Sequence, residues 1–132
     1  MGKSFYNRLK VADFPVTARQ LTGADSTAER GEDSGIFFCK AIYPTFEYGQ
    51  NGQKTQKQIG WSYQCTTPKR GNVSFFIKVP GMERVVSDAE LTLGPVSMQF
   101  TGFRGVWWVN SKGFQELSCK ADSAEKVPPE VY

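Results

Sequence analysis

The chain has 132 residues, the length of a single domain, and 16 basic against 13 acidic residues give it a net charge of +3. It contains no histidine and three cysteines, none in a Cys-x-x-Cys pair, so an ordinary zinc site and the usual nucleophile–histidine pairs are excluded. We therefore predict no catalytic residues, no metal and no cofactor.

The sequence also lacks the segments that direct a chain to a membrane. No apolar run approaches the roughly 20 residues of a membrane span, and the first residues lack the apolar segment of a signal peptide. We expect a cytoplasmic protein with reduced thiols and no membrane partner.

The first 35 residues are predicted to form an N-terminal segment that is partly flexible. Apolar side chains between Phe5 and Val16 favour docking of that stretch on the domain as a strand or short segment. Residues 17–35 are small, polar and rich in turn formers, which is typical of a mobile loop. Glu32 and Asp33 fall in this loop and are expected to be solvated.

From Ile36 onward the pattern is that of β-strands. Residues 36–48 are rich in β-branched and aromatic side chains, and Pro44 within them indicates an edge position or a bulge. The polar residues 49–60 predict a long flexible loop. Residues 61–67 and the strand that begins at residue 73 alternate between apolar and polar side chains and are joined by a turn.

The second half of the chain predicts one bent strand and a closing pair of strands. A short helix is possible near Arg84, and the apolar phase shifts across Gly94-Pro95, which favours a bend within one long strand. Five long strands and at most one short helix predict an all-β, five-stranded OB-like barrel over residues 36–122. Residues 123–132 are predicted to be a flexible tail. A β-sandwich is the alternative, although it usually has more and shorter strands.

Positive charge is concentrated in the middle third of the chain. Residues 36–81 hold six basic residues and one acidic residue, a balance of +5, whereas residues 1–35 balance to zero and residues 82–132 to −2. Such a distribution is typical of a surface that binds a polyanion. The cations predicted to contact phosphates or to close over a bound strand are Lys40, Lys54, Lys57, Lys69, Arg70, Lys78 and Arg104.

Phe76 is the aromatic residue that most needs an explanation, because it falls on the polar face of its strand between Ser74 and Lys78. A ring beside a lysine favours base stacking next to a phosphate contact. The alternative is that the N-terminal segment or a second subunit covers Phe76. Trp107 and Trp108 must point to opposite faces, and the sequence leaves open which of them points outward. The other rings predicted to stack are Tyr43, Trp61 and Trp107.

Three stretches carry a resemblance to a known family. Residues 63–80 read YQCTTPKRGNVSFFIKVP, residues 88–96 read DAELTLGPV and residues 117–122 read LSCKAD. Together they resemble the small OB-fold proteins of Gram-positive conjugative plasmids and integrative elements, which are single-stranded DNA-binding accessory or helicase-processivity proteins. The resemblance implies an OB fold and single-stranded DNA as the partner. Phage-encoded single-stranded DNA-binding proteins have similar features.

These observations predict a protein that binds single-stranded DNA with little sequence preference, in plasmid conjugation or replication. Duplex DNA and RNA stay open as partners, as does self-association along the strand. The alternative function is a protein-interaction module whose exposed rings form a subunit or partner interface. An enzyme is disfavoured because no pair of base and nucleophile is evident.

Overall fold

The computed structural model describes residues 14–25, 27–71, 73–109 and 111–128, without the side chains of Phe14, Arg70 and Gln115. These residues form one eight-stranded sheet and two short helices. The strands are β1 (Phe14–Val16), β2 (Phe37–Tyr48), β3 (Lys54–Thr66), β4 (Ser74–Pro80), β5 (Val96–Thr101), β6 (Arg104–Val109), β7 (Gln115–Lys120) and β8 (Ser123–Lys126). The helices are α1 (Ala18–Thr22) and α2 (Asp88–Thr92), and single 3-10 turns cover Gly31–Asp33 and Pro68–Arg70.

The strands are ordered β1-β6-β7-β4-β3-β2-β5-β8 in one open sheet. Strands β2, β3 and β4 form an antiparallel meander, because they follow each other along the chain and each pairs with the next. Strand β4 pairs with β7 in parallel, whereas the other pairings are antiparallel. The parallel pair brings the last third of the chain beside the middle third.

The chain bends sharply between β5 and β6, where Gly102 adopts a φ of 70°. The Asp33 carboxylate accepts hydrogen bonds from the backbone N–H groups of Gly102 at 2.9 Å and Phe103 at 3.0 Å. The Phe103 ring then stacks on Phe37 with centroids 5.5 Å apart. Asp33 thus holds the bend and is not simply solvated. The predicted strand bent at Gly94-Pro95 is wrong, because helix α2 occupies residues 88–92 and the strand begins only at Val96.

The core lies on the inner face of the sheet. Alternation in β4 sends Phe75, Ile77 and Val79 inward, and Tyr63 of β3 lies fully buried beside them. Helix α1 closes one side, since its Leu21 is also fully buried. Burial of each side chain of this size stabilises the fold by about 1.5–3 kcal/mol.

Both helices begin with a capping box formed by residues close to each other in the sequence. The Thr17 hydroxyl oxygen accepts a hydrogen bond from the Gln20 backbone N–H, and the Gln20 side-chain oxygen accepts one from the Thr17 backbone N–H. Ser87 and Glu90 form the same arrangement at α2. Reciprocal caps of this kind satisfy backbone N–H groups that a short helix leaves unpaired. No helix among the described residues is long and apolar enough to cross a membrane.

Several boundaries differ from the sequence prediction. The described residues form eight strands instead of five and two short helices instead of at most one. The predicted loop at 49–60 is a tight turn, because β3 already begins at Lys54 and pairs with β2 through backbone hydrogen bonds that polar side chains do not reveal. The predicted tail contributes β8, which pairs with β5 and is followed by the buried Val127. Helix α1 forms within the predicted N-terminal loop.

Candidate nucleic-acid interface

A row of side chains crosses the outer face of the sheet in register. Tyr43 pairs with Ser62, Ser62 with Lys78, Lys78 with Lys120, and Lys120 with Arg104. Paired residues on adjacent strands point to the same face, and neighbouring strands lie about 4.8 Å apart. The row therefore spans roughly 19 Å over five strands. We call it the cation row after its three basic members.

The two lysines of the cation row are exposed and have no carboxylate partner among the described residues. Arg104 is partly compensated, because its guanidinium donates to Asp122 at 3.0 Å and to the Gly102 carbonyl at 2.6 Å. Lys78 and Lys120 are thus the members with charge available for an anion.

Two aromatic rings belong to this face: Tyr43 is itself a member of the cation row, and Phe76 lies beside the row. Phe76 is 47% exposed and Tyr43 is 49% exposed. Their ring centroids are 6.3 Å apart at an interplanar angle of 41°, within the range of weakly interacting aromatic pairs. Each ring keeps about half of its surface open, so the described N-terminal residues do not cover Phe76.

A cleft of about 370 Å³ opens next to the cation row. One wall carries the three cations of the row, and the other belongs to the β2–β3 ribbon, which we define as residues 43–48 and 54–59. The ribbon side chains that reach the cleft include Phe46, Tyr48 and Ile59. The cleft therefore has a cationic wall and a mostly apolar wall that also carries the Glu47 carboxylate.

The ribbon lysines have partners on the ribbon itself. The Lys54 ammonium lies 5.2 Å from the centre of the Phe46 ring, and Lys57 lies 3.6 Å from the Glu47 carboxylate. Both lysines are exposed, and their partners Phe46 and Glu47 line the cleft. Exposed pairs of this kind are weak, and a phosphate can compete for either lysine.

The tryptophans divide between the two faces. Trp61 packs against the core, donates its indole N–H to the Met82 carbonyl at 3.0 Å and has Arg84 over its ring. Trp107 also packs against the core, whereas Trp108 is 38% exposed on the face that carries Arg104. Trp61 and Trp107 therefore do not join the outer surface, and Trp108 takes the place predicted for Trp107.

The remaining predicted cations lie away from the cation row. Lys40 is exposed at the bulge between Cys39 and Ala41. Lys69 follows the far end of β3 and donates to the Gln20 carbonyl at 3.3 Å. The Arg70 side chain lies outside the described part of the structure.

Sequence reasoning missed Lys120, because it counted charge along the chain and the last third is net negative. The local signal was present, since Lys120 alternates with the buried Cys119 on the final predicted strand. Phe46 and Tyr48 were also missed, because they belong to a run that is apolar on both faces.

The cysteines offer no surface nucleophile. Cys39, Cys65 and Cys119 are all buried. Burial raises the pKa of Cys65 well above its usual value and that of Cys119 to about 12, so both stay protonated near neutral pH. A hydrogen bond with Cys65 lowers the pKa of Cys39. No group of three or more metal-ligating side chains occurs among the described residues.

Comparison of the chain with protein families, with curated proteins and with solved structures gave no match.

Proposed function

We propose that this chain binds single-stranded DNA on its outer sheet face with little sequence preference. The observation that carries the proposal is the cation row, in which three strands align cations next to two half-exposed rings. Nonspecific single-strand binding needs this combination of phosphate partners and stacking surfaces. The sequence resemblance to proteins of conjugative elements supports a role in plasmid transfer or replication.

The exposed rings favour a single strand over a duplex. Tyr43 and Phe76 can stack on a base only when that base presents its face, and the bases of a duplex are already stacked on each other. The two rings tilt against each other instead of lying flush, so each offers a separate surface. Stacking on a ring is tolerant of base identity, because every base has an aromatic face.

The fold is proposed to be an OB-like barrel built around one bent strand. Strands β5 and β6 follow each other across the bend at Gly102, while β5 pairs with β2 and β6 pairs with β7. The pairing order β6-β7-β4-β3-β2-β5 begins with β6 and ends with β5. When β5 and β6 are counted as one bent strand, this order closes on itself and contains five strands. OB folds bind single strands on the face of their second and third strands, which here are β3 and β4.

Fluorescence anisotropy tests the proposed function. A labelled single-stranded oligonucleotide and a duplex of the same sequence are titrated with the full chain at low and high salt. We expect salt-sensitive binding of the single strand, and we expect Phe76→Ala to weaken it by about 5- to 150-fold, from about 1–3 kcal/mol per stack. Leu93→Ala is the matched control, because Leu93 is 89% exposed and belongs neither to the row nor to the cleft. Absence of binding at low salt would refute the proposal.

A protein-interaction module is the second candidate. Tyr48, Met82 and Leu93 are exposed apolar side chains, which contact with another protein surface would bury. Light scattering coupled to size exclusion distinguishes the two functions. A stable oligomer without affinity for nucleic acid favours the interaction module, whereas a monomer that binds the single strand favours DNA binding.

A further inference from the structure

One residue that lines the cleft beside the cation row, Thr45, carries a buried hydroxyl without a partner among the described residues. Thr45 lines the cleft from β2, and its Oγ1 is buried without a hydrogen bond to any described residue. A buried hydroxyl left without a partner is unfavourable, and native structures contain few of them. A ligand in the cleft is one way to satisfy it.

The backbone around Thr45 is also unusual. The β2–β3 register shifts between Thr45 and Phe46, and bulges of this kind re-aim side chains next to binding sites. The residue opposite Thr45 is Gly60, whose added Cβ would lie 2.3 Å from the Val79 carbonyl oxygen. The close approach of β3 and β4 therefore requires glycine there, and no side chain from β3 stands opposite the hydroxyl.

We infer that the cleft holds one nucleobase turned out of the bound strand, with its polar edge hydrogen-bonded to the Thr45 hydroxyl. This inference rests on the proposed function. The cations of the row hold the flanking phosphates at one wall, and the apolar ribbon side chains cover the base at the other. The cleft lies in the size range of small-molecule sites.

The chemistry of the hydroxyl matches a base of any identity. A threonine hydroxyl both donates and accepts a hydrogen bond, and every base edge carries donors, acceptors or both. Thr45 therefore anchors a base without reading its identity, in agreement with binding of low sequence preference. Because the Thr45 Oγ1 is buried in the free chain, the proposed contact requires the residues around it to move when the base enters.

The test compares Thr45→Val with the wild-type chain, because valine keeps the shape of threonine and removes the hydroxyl. The probes are a labelled single-stranded oligothymidylate and a strand of equal length in which the central nucleotides are abasic. We expect Thr45→Val to bind oligothymidylate about two- to tenfold more weakly, as the loss of one hydrogen bond predicts, and to bind the abasic strand as the wild type does. Thr92→Val, on α2 and outside the cleft, is the control.

Each other outcome overturns the inference. Unchanged affinity of Thr45→Val for both strands overturns it, and a higher melting temperature of the variant would then identify the hydroxyl as a buried defect without a ligand. Equal weakening toward both strands means that the substitution disturbs the ribbon and not a base contact. If the wild type binds neither strand, the proposed function fails together with the inference, and that result is distinct from the first two.

Discussion

The paired change Lys78→Ala and Lys120→Ala tests whether the cation row carries the contact with phosphates. These lysines come from adjacent parallel strands and have no carboxylate partner among the described residues. Both lysines are exposed, and the buried side chains of their strands point to the opposite face. The core therefore stays in place, and we expect the fold to survive the change.

The size of the effect follows from the number of charges removed. Each phosphate neutralised on a single strand contributes about −0.7 to the slope of log K against log salt. Removing two contacts makes the slope shallower by about 1.4. A fourfold rise in salt then weakens the wild type about sevenfold more than it weakens the variant.

The assay is anisotropy with one labelled single-stranded oligonucleotide over a series of salt concentrations. The matched control is Arg19→Ala with Lys126→Ala, which removes the same number of positive charges outside the row and the cleft. Equal slopes for the wild type and the row variant would refute the reasoning. A control slope as shallow as that of the row variant would show that total charge matters and that the position of the charges does not.

Three further predictions concern the fold. Asp33→Ala removes two hydrogen bonds to a carboxylate and should lower the free energy of unfolding by about 3 kcal/mol in urea titration, whereas no loss would mean that the bend forms without it. Gly60→Ala places a Cβ 2.3 Å from a backbone oxygen and should destabilise by about 1–3 kcal/mol, so wild-type stability would contradict the close strand approach. The hydrogen bonds from Lys126 and the Ser87 backbone lower the pKa of Glu90 to about 2. The ionised Glu90 carboxylate therefore stabilises the fold above about pH 4.5, and this stabilisation is lost as the pH falls toward 2. The melting temperatures of Glu90→Gln and the wild type should therefore converge as the pH falls from about 4.5 toward 2, with Glu83→Gln as the control. A constant difference in melting temperature over that interval would contradict this account.

The strand β4 shows what alternation alone can predict. The sequence places Phe75 and Ile77 inside and Phe76 and Lys78 outside, and the structure confirms that arrangement. The signal is local, because successive side chains of a strand point to opposite faces whatever the partner strand is. The polar start of β3 gave no such signal, since its pairing depends on the backbone of β2.

The structure likewise brings only part of the predicted site together. Phe76, Tyr43, Lys78 and Arg104 come together on one face, whereas Trp107 turns toward the core. The sequence required Trp107 and Trp108 to oppose each other but did not orient the pair. That choice depends on which face of β6 meets the core, and packing decides it.

The sequence by itself determined the β-rich character of the chain, its basic middle third and the outward position of Phe76, because composition and alternation act over neighbouring residues. Only the tertiary structure joined Lys78 to Lys120 and Arg104, since these residues are distant in sequence and meet through the parallel pairing of β4 and β7. It also decided the cleft and the buried hydroxyl of Thr45, which arise where the β2–β3 ribbon passes the cation row. A strand's own sequence specifies its two faces, but register with a distant strand depends on how the whole core packs.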